Sequence, residues 1–128
     1  MNYYLTIDAG TSIIKVVLFN QKFDLICKVS KKNIVLIDNH GKSEIEMNKF
    51  WQITSKCIKN CITKSKIEPS NISAIGITGN MVGAWAVDKF NKPVRNAILW
   101  NDTRSEEIFK NLKTNNKKIF EKIFNISG

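Results

Sequence analysis

One histidine, two arginines, two prolines and three cysteines among 128 residues remove several chemistries before any motif is read. His40 lies in the polar, turn-like stretch Asp38-Asn39-His40-Gly41-Lys42, so an imidazole base paired with Ser or Cys has little support. Cys57 and Cys61 stand four apart in a helical pattern and Cys27 stands alone, with no CxxC pair to start a zinc set. Reduced cysteines serving as small core residues are expected. No apolar run approaches the roughly 20 residues of a membrane span, and Met1-Asn2-Tyr3-Tyr4-Leu5 lacks the basic-then-apolar layout of a secretory signal. A cytoplasmic setting without a membrane partner is the expectation.

What is present is enough for one ordinary folded unit. With 43% hydrophobic residues, a chain of this length buries roughly two thirds of the surface its unfolded form exposes, which excludes a disulfide-dependent or disordered class. The net charge of +9 invites a nucleic-acid reading. Its distribution argues against one. Eighteen of the 20 cations are Lys, spread singly or in pairs, whereas phosphate and base recognition favours Arg. With 15 Asn and 19 Ile in the same chain, the Lys excess reads as compositional bias, and no nucleic-acid partner is expected.

Along the chain, Tyr4 to Asp8, Ile13 to Phe19 and Leu25 to Val29 read as strands joined by loops of four or five residues. Such short connections suit antiparallel hairpins, so the chain opens as a three-stranded meander. Ile34 to Ile37 is a further strand candidate, followed by a polar stretch from Asp38 to Ser43. Helical spacing then places Phe50, Ile53, Cys57 and Cys61 on one stripe and Trp51, Ile58 and Ile62 on the next, with Asn48 as the N-cap. Ile72 to Thr78, Ala84 to Asp88 and Ala97 to Trp100 read as strands, with Trp85 in the core. Two helices follow, carrying Ile108, Phe109 and Leu112, then Ile119, Phe120, Ile123 and Phe124. Thr103-Arg104-Ser105-Glu106 matches a capping box at the first of these. This order differs from the alternating βαβ of a dinucleotide-binding fold and fits an α/β ribonuclease H-like unit: a mixed sheet opening with an antiparallel meander, flanked by helices.

The segment from Asp8 to Lys15 holds the densest chemistry. A carboxylate ends an apolar strand, Gly10, Thr11 and Ser12 form a tight turn, and Lys15 lies on the returning strand. Two readings fit the turn alone. In one it cradles a polyphosphate: Gly10 admits close backbone approach, the hydroxyls donate, Lys15 neutralises charge, and Asp8 holds Mg²⁺ through water. In the other it is an ordinary hairpin turn with Asp8 bonding locally. Neither GxxxxGK nor GxGxxG is present, so Walker and Rossmann phosphate sites are excluded.

Three motifs in order carry a family resemblance: Asp8-Ala9-Gly10-Thr11-Ser12 with Lys15, then Ile75-Gly76-Ile77-Thr78-Gly79-Asn80-Met81-Val82-Gly83, then Pro93 and Ile98-Leu99-Trp100-Asn101-Asp102-Thr103-Arg104. Together they span nearly the whole chain, which resembles the N-terminal region of an FGGY-family carbohydrate kinase, of the actin and hexokinase superfamily. The resemblance implies transfer of the γ-phosphoryl of ATP, with Mg²⁺, to a hydroxyl of a small sugar or polyol. It assigns Asp8, Gly10, Thr11, Ser12 and Lys15 to the phosphates and the metal. It assigns Asn80, Met81, Val82, Trp100, Asp102 and Arg104 to the sugar pocket. For Asp102 and Arg104, the residues alone fit helix capping and surface pairing equally well. The loop Asn80-Met81-Val82 departs from the Gln-Met-His stretch often found in xylulose kinases and from the Arg-Glu pair of glycerol kinases, so no particular sugar is assigned.

The resemblance further implies that residues 1–128 form an incomplete N-terminal domain. The family's C-terminal nucleotide-binding domain has no counterpart in them, and the catalytic base, an Asp, is expected beyond Gly128. Phosphorylation by this chain alone is not expected. A non-catalytic remnant or a sugar- or partner-binding module, self-associating through exposed apolar surface, is the alternative expectation.

Overall fold

The computed structural model describes residues 2–127. Its first sheet begins with β1 (Tyr3–Ala9), β2 (Ile13–Asn20) and β3 (Leu25–Lys32), an antiparallel meander as the short loops require. Alternation sets the two faces: Ile14, Val16 and Leu18 are buried, while Ile13, Lys15 and Val17 between them are not. The next stretch holds two short strands, β4 (Leu36–Ile37) and β5 (Ser43–Ile45), either side of the polar residues 38–42. The strand expected over Ile34 to Ile37 is thus shorter. The polar stretch after it ends in a strand, because all three residues of β5 are buried between β4 and β8 (Ala97–Leu99).

Helix α1 (Met47–Ser65) lays its Cys57 and Cys61 stripe on Leu5, Ile7, Ile14, Val16, Leu18 and Val29 to make the principal core. The N-cap is Glu46, not Asn48: the Glu46 carboxylate accepts the N–H of Lys49, and Asn48 is already inside the helix. Lys66 adopts left-handed backbone and stops the helix. Burial, with the Cys27 side chain adding to it, pushes the Cys61 thiol up to about 12, and Cys61 Sγ donates to the Cys27 carbonyl at 3.8 Å. The Cys57 thiol is likewise raised by burial. All three cysteines are free, and the pair in α1 behaves as core filler.

After a 3₁₀ turn at Pro69–Asn71 the chain enters β6 (Ile72–Gly79), which lies parallel to β1 and completes the order β3-β2-β1-β6. Helix α1 is the crossover that a parallel neighbour needs. The strand expected from Ala84 to Asp88 is reduced to β7 (Gly83–Ala84), with Val87 bridging Pro93 across an Asp88-centred turn. Strands β4-β5-β8-β7 form a second, antiparallel sheet. Trp85 is half-buried against Phe50, ring centroids 5.4 Å apart, rather than enclosed in the core.

Helices α2 (Glu106–Asn115) and α3 (Lys117–Ser127) pair through Phe109 and Phe120, whose rings are 4.9 Å apart. The expected capping box does not form. Ser105 is the N-cap without a side-chain bond, and Thr103 contributes its carbonyl, not its hydroxyl, to the N–H of Glu106. Among the described residues no helix is long and apolar enough to cross a membrane.

Candidate functional site

The end of β1, the turn into β2 and the end of β6 meet because β1 is paired with both strands: Asp8 lies opposite Lys15 on one side and Thr78 on the other. Lys15 Nζ is 3.2 Å from Asp8 Oδ2, and both side chains are about two-fifths exposed (43% and 41%). They line a depression with Thr6, Val17, Gly76 and Thr78. The Gly10 position admits no larger residue, since a Cβ there would sit 2.8 Å from the Ile13 carbonyl oxygen. Asn33, from the chain after β3, donates its side-chain amide to the carbonyls of Gly10 (3.4 Å) and Thr11 (2.9 Å), and its backbone N–H to that of Ser12. The turn is therefore fixed from outside as well as by its own residues.

Thr11 connects this turn to the loop after β6. Its hydroxyl donates to Asn80 Oδ1 at 2.6 Å, and the Asn80 backbone N–H donates to the Ala9 carbonyl at 3.2 Å. Gly79 is required at this junction, because a Cβ would meet the Ala9 carbonyl oxygen at 2.7 Å. Gly10, Thr11, Asn80, Met81, Val82 and Trp100 then line a single hollow of about 450 Å³. Asn80 Nδ2 is buried at this junction without a hydrogen-bond partner, which leaves the desolvation of that donor uncompensated. Met81, Val82 and Trp100 are largely exposed, so the hollow presents apolar surface beside a few polar atoms. That is the combination a sugar ring needs, with C–H groups on an aromatic face and hydroxyls on polar groups.

Asp102 and Arg104 are placed differently from Trp100. Neither lines the hollow. Arg104 Nε and Nη2 bond the Asp102 carboxylate at 2.7–3.1 Å, and Asp102 also accepts the Ser43 N–H at 2.8 Å. The guanidinium beside it, aided by the Ser43 and Arg104 backbone N–H groups, holds the Asp102 carboxyl well below the usual range. Arg104 in turn is held above its ordinary value by Asp102 and then Glu44. Neither Glu44 nor Arg95 belongs to any motif of the sequence. Glu44 is 4% exposed and accepts from Arg104 Nη2 and Arg95 Nη2, each at 2.6 Å. Its carboxyl is held low mainly by Arg104, with Asn96 adding to the effect.

Among the described residues no cluster of three or more His, Cys, Asp or Glu could enclose a metal ion. Mg²⁺ does not require one, since it binds through one or two carboxylates and the oxygens of a phosphate substrate while keeping several waters. Asp8 fits that use: its carboxylate is partly open, and Lys15 engages only Oδ2.

Comparison with known proteins points the same way. Residues 3–128 match the profile of the FGGY family of carbohydrate kinases, N-terminal domain. A probable L-xylulose kinase of Haemophilus influenzae is 39% identical over 109 residues, covering 84% of this chain and 22% of the relative. Glycerol kinase 2 of Thermotoga maritima is 32% identical over 114 residues, 88% of this chain and 23% of the relative. Among solved structures, a xylulose kinase from Brucella ovis superimposes with a TM-score of 0.80 at 29% identity, covering 88% of this chain and 24% of its own. The Plasmodium falciparum glycerol kinase with ADP gives a TM-score of 0.72 at 27% identity, covering 90% of this chain and 23% of its own. The chain thus spans less than a quarter of the length of these relatives, and its fold is that of the actin and hexokinase, ribonuclease H-like class.

Proposed function

The chain belongs to the FGGY family of carbohydrate kinases, and on that premise we propose that residues 1–128 supply the phosphate turn and one wall of the sugar pocket of an ATP-dependent sugar or polyol kinase. In this reading they are the opening part of the N-terminal domain. The observation that carries it is the Thr11–Asn80 hydrogen bond, which joins the turn and the loop after β6 in one hollow with Trp100. ADP in the related glycerol kinase supports ATP as the phosphoryl donor. A soluble, cytoplasmic setting belongs to the same reading.

Each residue then has a physical task. Gly10 lets backbone approach the phosphates, Thr11 and Ser12 donate hydroxyls, and Lys15 sets positive charge beside them. Asp8 would hold Mg²⁺ through water, and the ion when bound supplies charge neutralisation on the phosphates. Asn80 offers its unpartnered amide N–H to a substrate hydroxyl, while Trp100, Met81 and Val82 cover the apolar face of the ring. Asp102 and Arg104 act on the pocket from behind. Phosphoryl transfer depends on in-line positioning and charge stabilisation, and these 128 residues contain neither the family's base nor its adenosine-binding segment.

Two measurements on the purified 128-residue chain test the reading. Titration with D-xylulose, L-xylulose and glycerol should change the tryptophan fluorescence for at least one, a change lost in Trp100→Phe and in Asn80→Ala; no response to any of them counts against the sugar pocket. With ATP, Mg²⁺ and the same compounds no ADP should form. Turnover lost in Asp8→Ala would overturn the division of labour proposed here.

One observation favours the alternative of a non-catalytic, self-associating chain. Ile75 and Ile77 on β6 are 57% and 76% exposed on the core side of the sheet, beyond the reach of α1. Size-exclusion chromatography over a concentration series separates the two readings, since a monomer at all concentrations removes the alternative.

A further inference from the structure

Glu44 is a charged side chain where the sequence offers no reason for one: in the middle of a three-residue strand whose every residue is buried. Both arginines of the chain end on it, Arg95 from the segment before β8 and Arg104 from the segment after it. Asn96 Nδ2 adds a bond at 3.3 Å, and Lys42 Nζ stands 3.8 Å away. The chain's 18 lysines show that positive charge is abundant, so Arg in both these places reflects a demand for geometry. A buried ion network of this kind contributes little net stability, because desolvation offsets most of the attraction, but it fixes orientation.

What it orients follows from the chain path. Leu99, 2% exposed, ends β8, and Arg104 is tied to Glu44, so the segment 100–103 is held at both ends. The Asp102 N–H on the Leu99 carbonyl, the Thr103 N–H on the Gly41 carbonyl and the Ser43 N–H on Asp102 close it down further. Trp100 is the residue of this segment that lines the hollow with Thr11 and Asn80. We propose that Glu44 is a positioning residue for the sugar pocket: without touching substrate, it uses Arg104 to hold the segment that aims Trp100 across the hollow from Asn80.

The inference rests on the sugar-pocket reading, and its test separates the two. In the 128-residue chain, Glu44→Gln removes the charge and keeps the shape. The Trp100 indole N–H resonance, assigned with Trp100→Phe, should shift and its ¹⁵N relaxation should report faster motion, while amides of β1, β2 and α1 keep their positions. Affinity for whichever of D-xylulose, L-xylulose or glycerol binds the wild type should fall about tenfold. Arg104→Lys, which keeps the charge and loses the planar fork, should loosen Trp100 in the same way, and decides the matter if Glu44→Gln fails to fold. An unchanged Trp100 signal in the folded variants overturns the proposal. So does a change spread equally over β1, β2 and α1, or the unfolding of both variants, since each makes the network a matter of stability alone. If the wild type binds none of the three compounds, the sugar reading fails, while the Trp100 resonance still judges Glu44.

Discussion

Most of the buried hydrophobics lie between Tyr3 and Ser65: Leu5, Ile7, Ile14, Val16, Leu18, Val29, Cys57 and Cys61 face one another between the meander and α1. After Ser65 the buried hydrophobics among the described residues are Ala97 and Leu99, and Ile75, Ile77, Ile108 and Ile126 stand largely in solvent. The strands explain the contrast. Helix α1 covers β2 and β3, so the part of the same face that belongs to β6 has no layer over it, and the α2–α3 pair is closed chiefly by its own aromatic contacts. The meander and α1 share a large hydrophobic core, whereas the second sheet buries only Ile45, Ala97 and Leu99 and is oriented by the ion network of Glu44, Asp102, Arg95 and Arg104. The hollow with Thr11, Asn80 and Trp100 lies where the two regions meet, so its shape depends on both kinds of force.

The largest effect should come from the core. Leu18 is completely buried, and Leu18→Ala should lower the unfolding free energy by about 2–5 kcal/mol through lost transfer energy and a cavity. Ile77→Ala, at an exposed position of the same sheet, should stay within about 0.5 kcal/mol. Urea denaturation of both variants makes the comparison directly. An equal cost at the two positions would show that β6 is covered in solution and would break the contrast.

These regions also differ in how readily they were read. The meander is legible because one alternating and one β-branched run, joined by loops too short for crossovers, leave one arrangement. The α1 stripe was legible from its spacing, although the cap was misplaced: Asn48 is the better capping residue by type, but the carboxylate of Glu46 reaches the Lys49 N–H first in the chain. In the second region local pattern fails. Ser43-Glu44-Ile45 is a strand only because β4 and β8 flank it, and Glu44 is buried only because arginines 51 and 60 residues further along arrive at it. Thr103 to Glu106 shows the opposite error, a local motif overridden when the chain before α2 is tied to Gly41. The candidate site divides along the same line. The Gly10 turn and the Asn80 loop stand out as motifs, whereas Asn33 and Glu44, which hold the turn and the Trp100 segment, carry no signal outside the folded structure.

Acid should separate the regions next. Glu44 and Asp102 both titrate lower in the folded chain than their ordinary values, chiefly because of Arg104. Their contribution is therefore complete above the unfolded values of about 4 and is lost as pH falls through the lowered folded ones. The core facing α1 contains no carboxylate. Hydrogen exchange at pH 6 and at pH 3 should show protection falling in β5 and β8 while β1 and β2 retain theirs. Uniform loss of protection would mean that the two sheets unfold as one.

Val82 offers the smallest effect and the most local one. Its φ of 59° puts a β-branched residue in left-handed backbone, beside Gly83, in the loop that lines the hollow. Such a conformation costs roughly 1–3 kcal/mol for a side chain like valine and is tolerated far better by asparagine. The Val82 side chain is 81% exposed, so Val82→Asn gives up little packing while relieving the strain. The variant should gain about 1 kcal/mol in urea denaturation if the loop unfolds together with the core. A gain seen only as slower exchange of the Asn80 to Gly83 amides, with the urea midpoint unmoved, would place this loop in a separate, less stable cooperative unit, because relieving strain raises global stability only where the strained segment melts in the global transition.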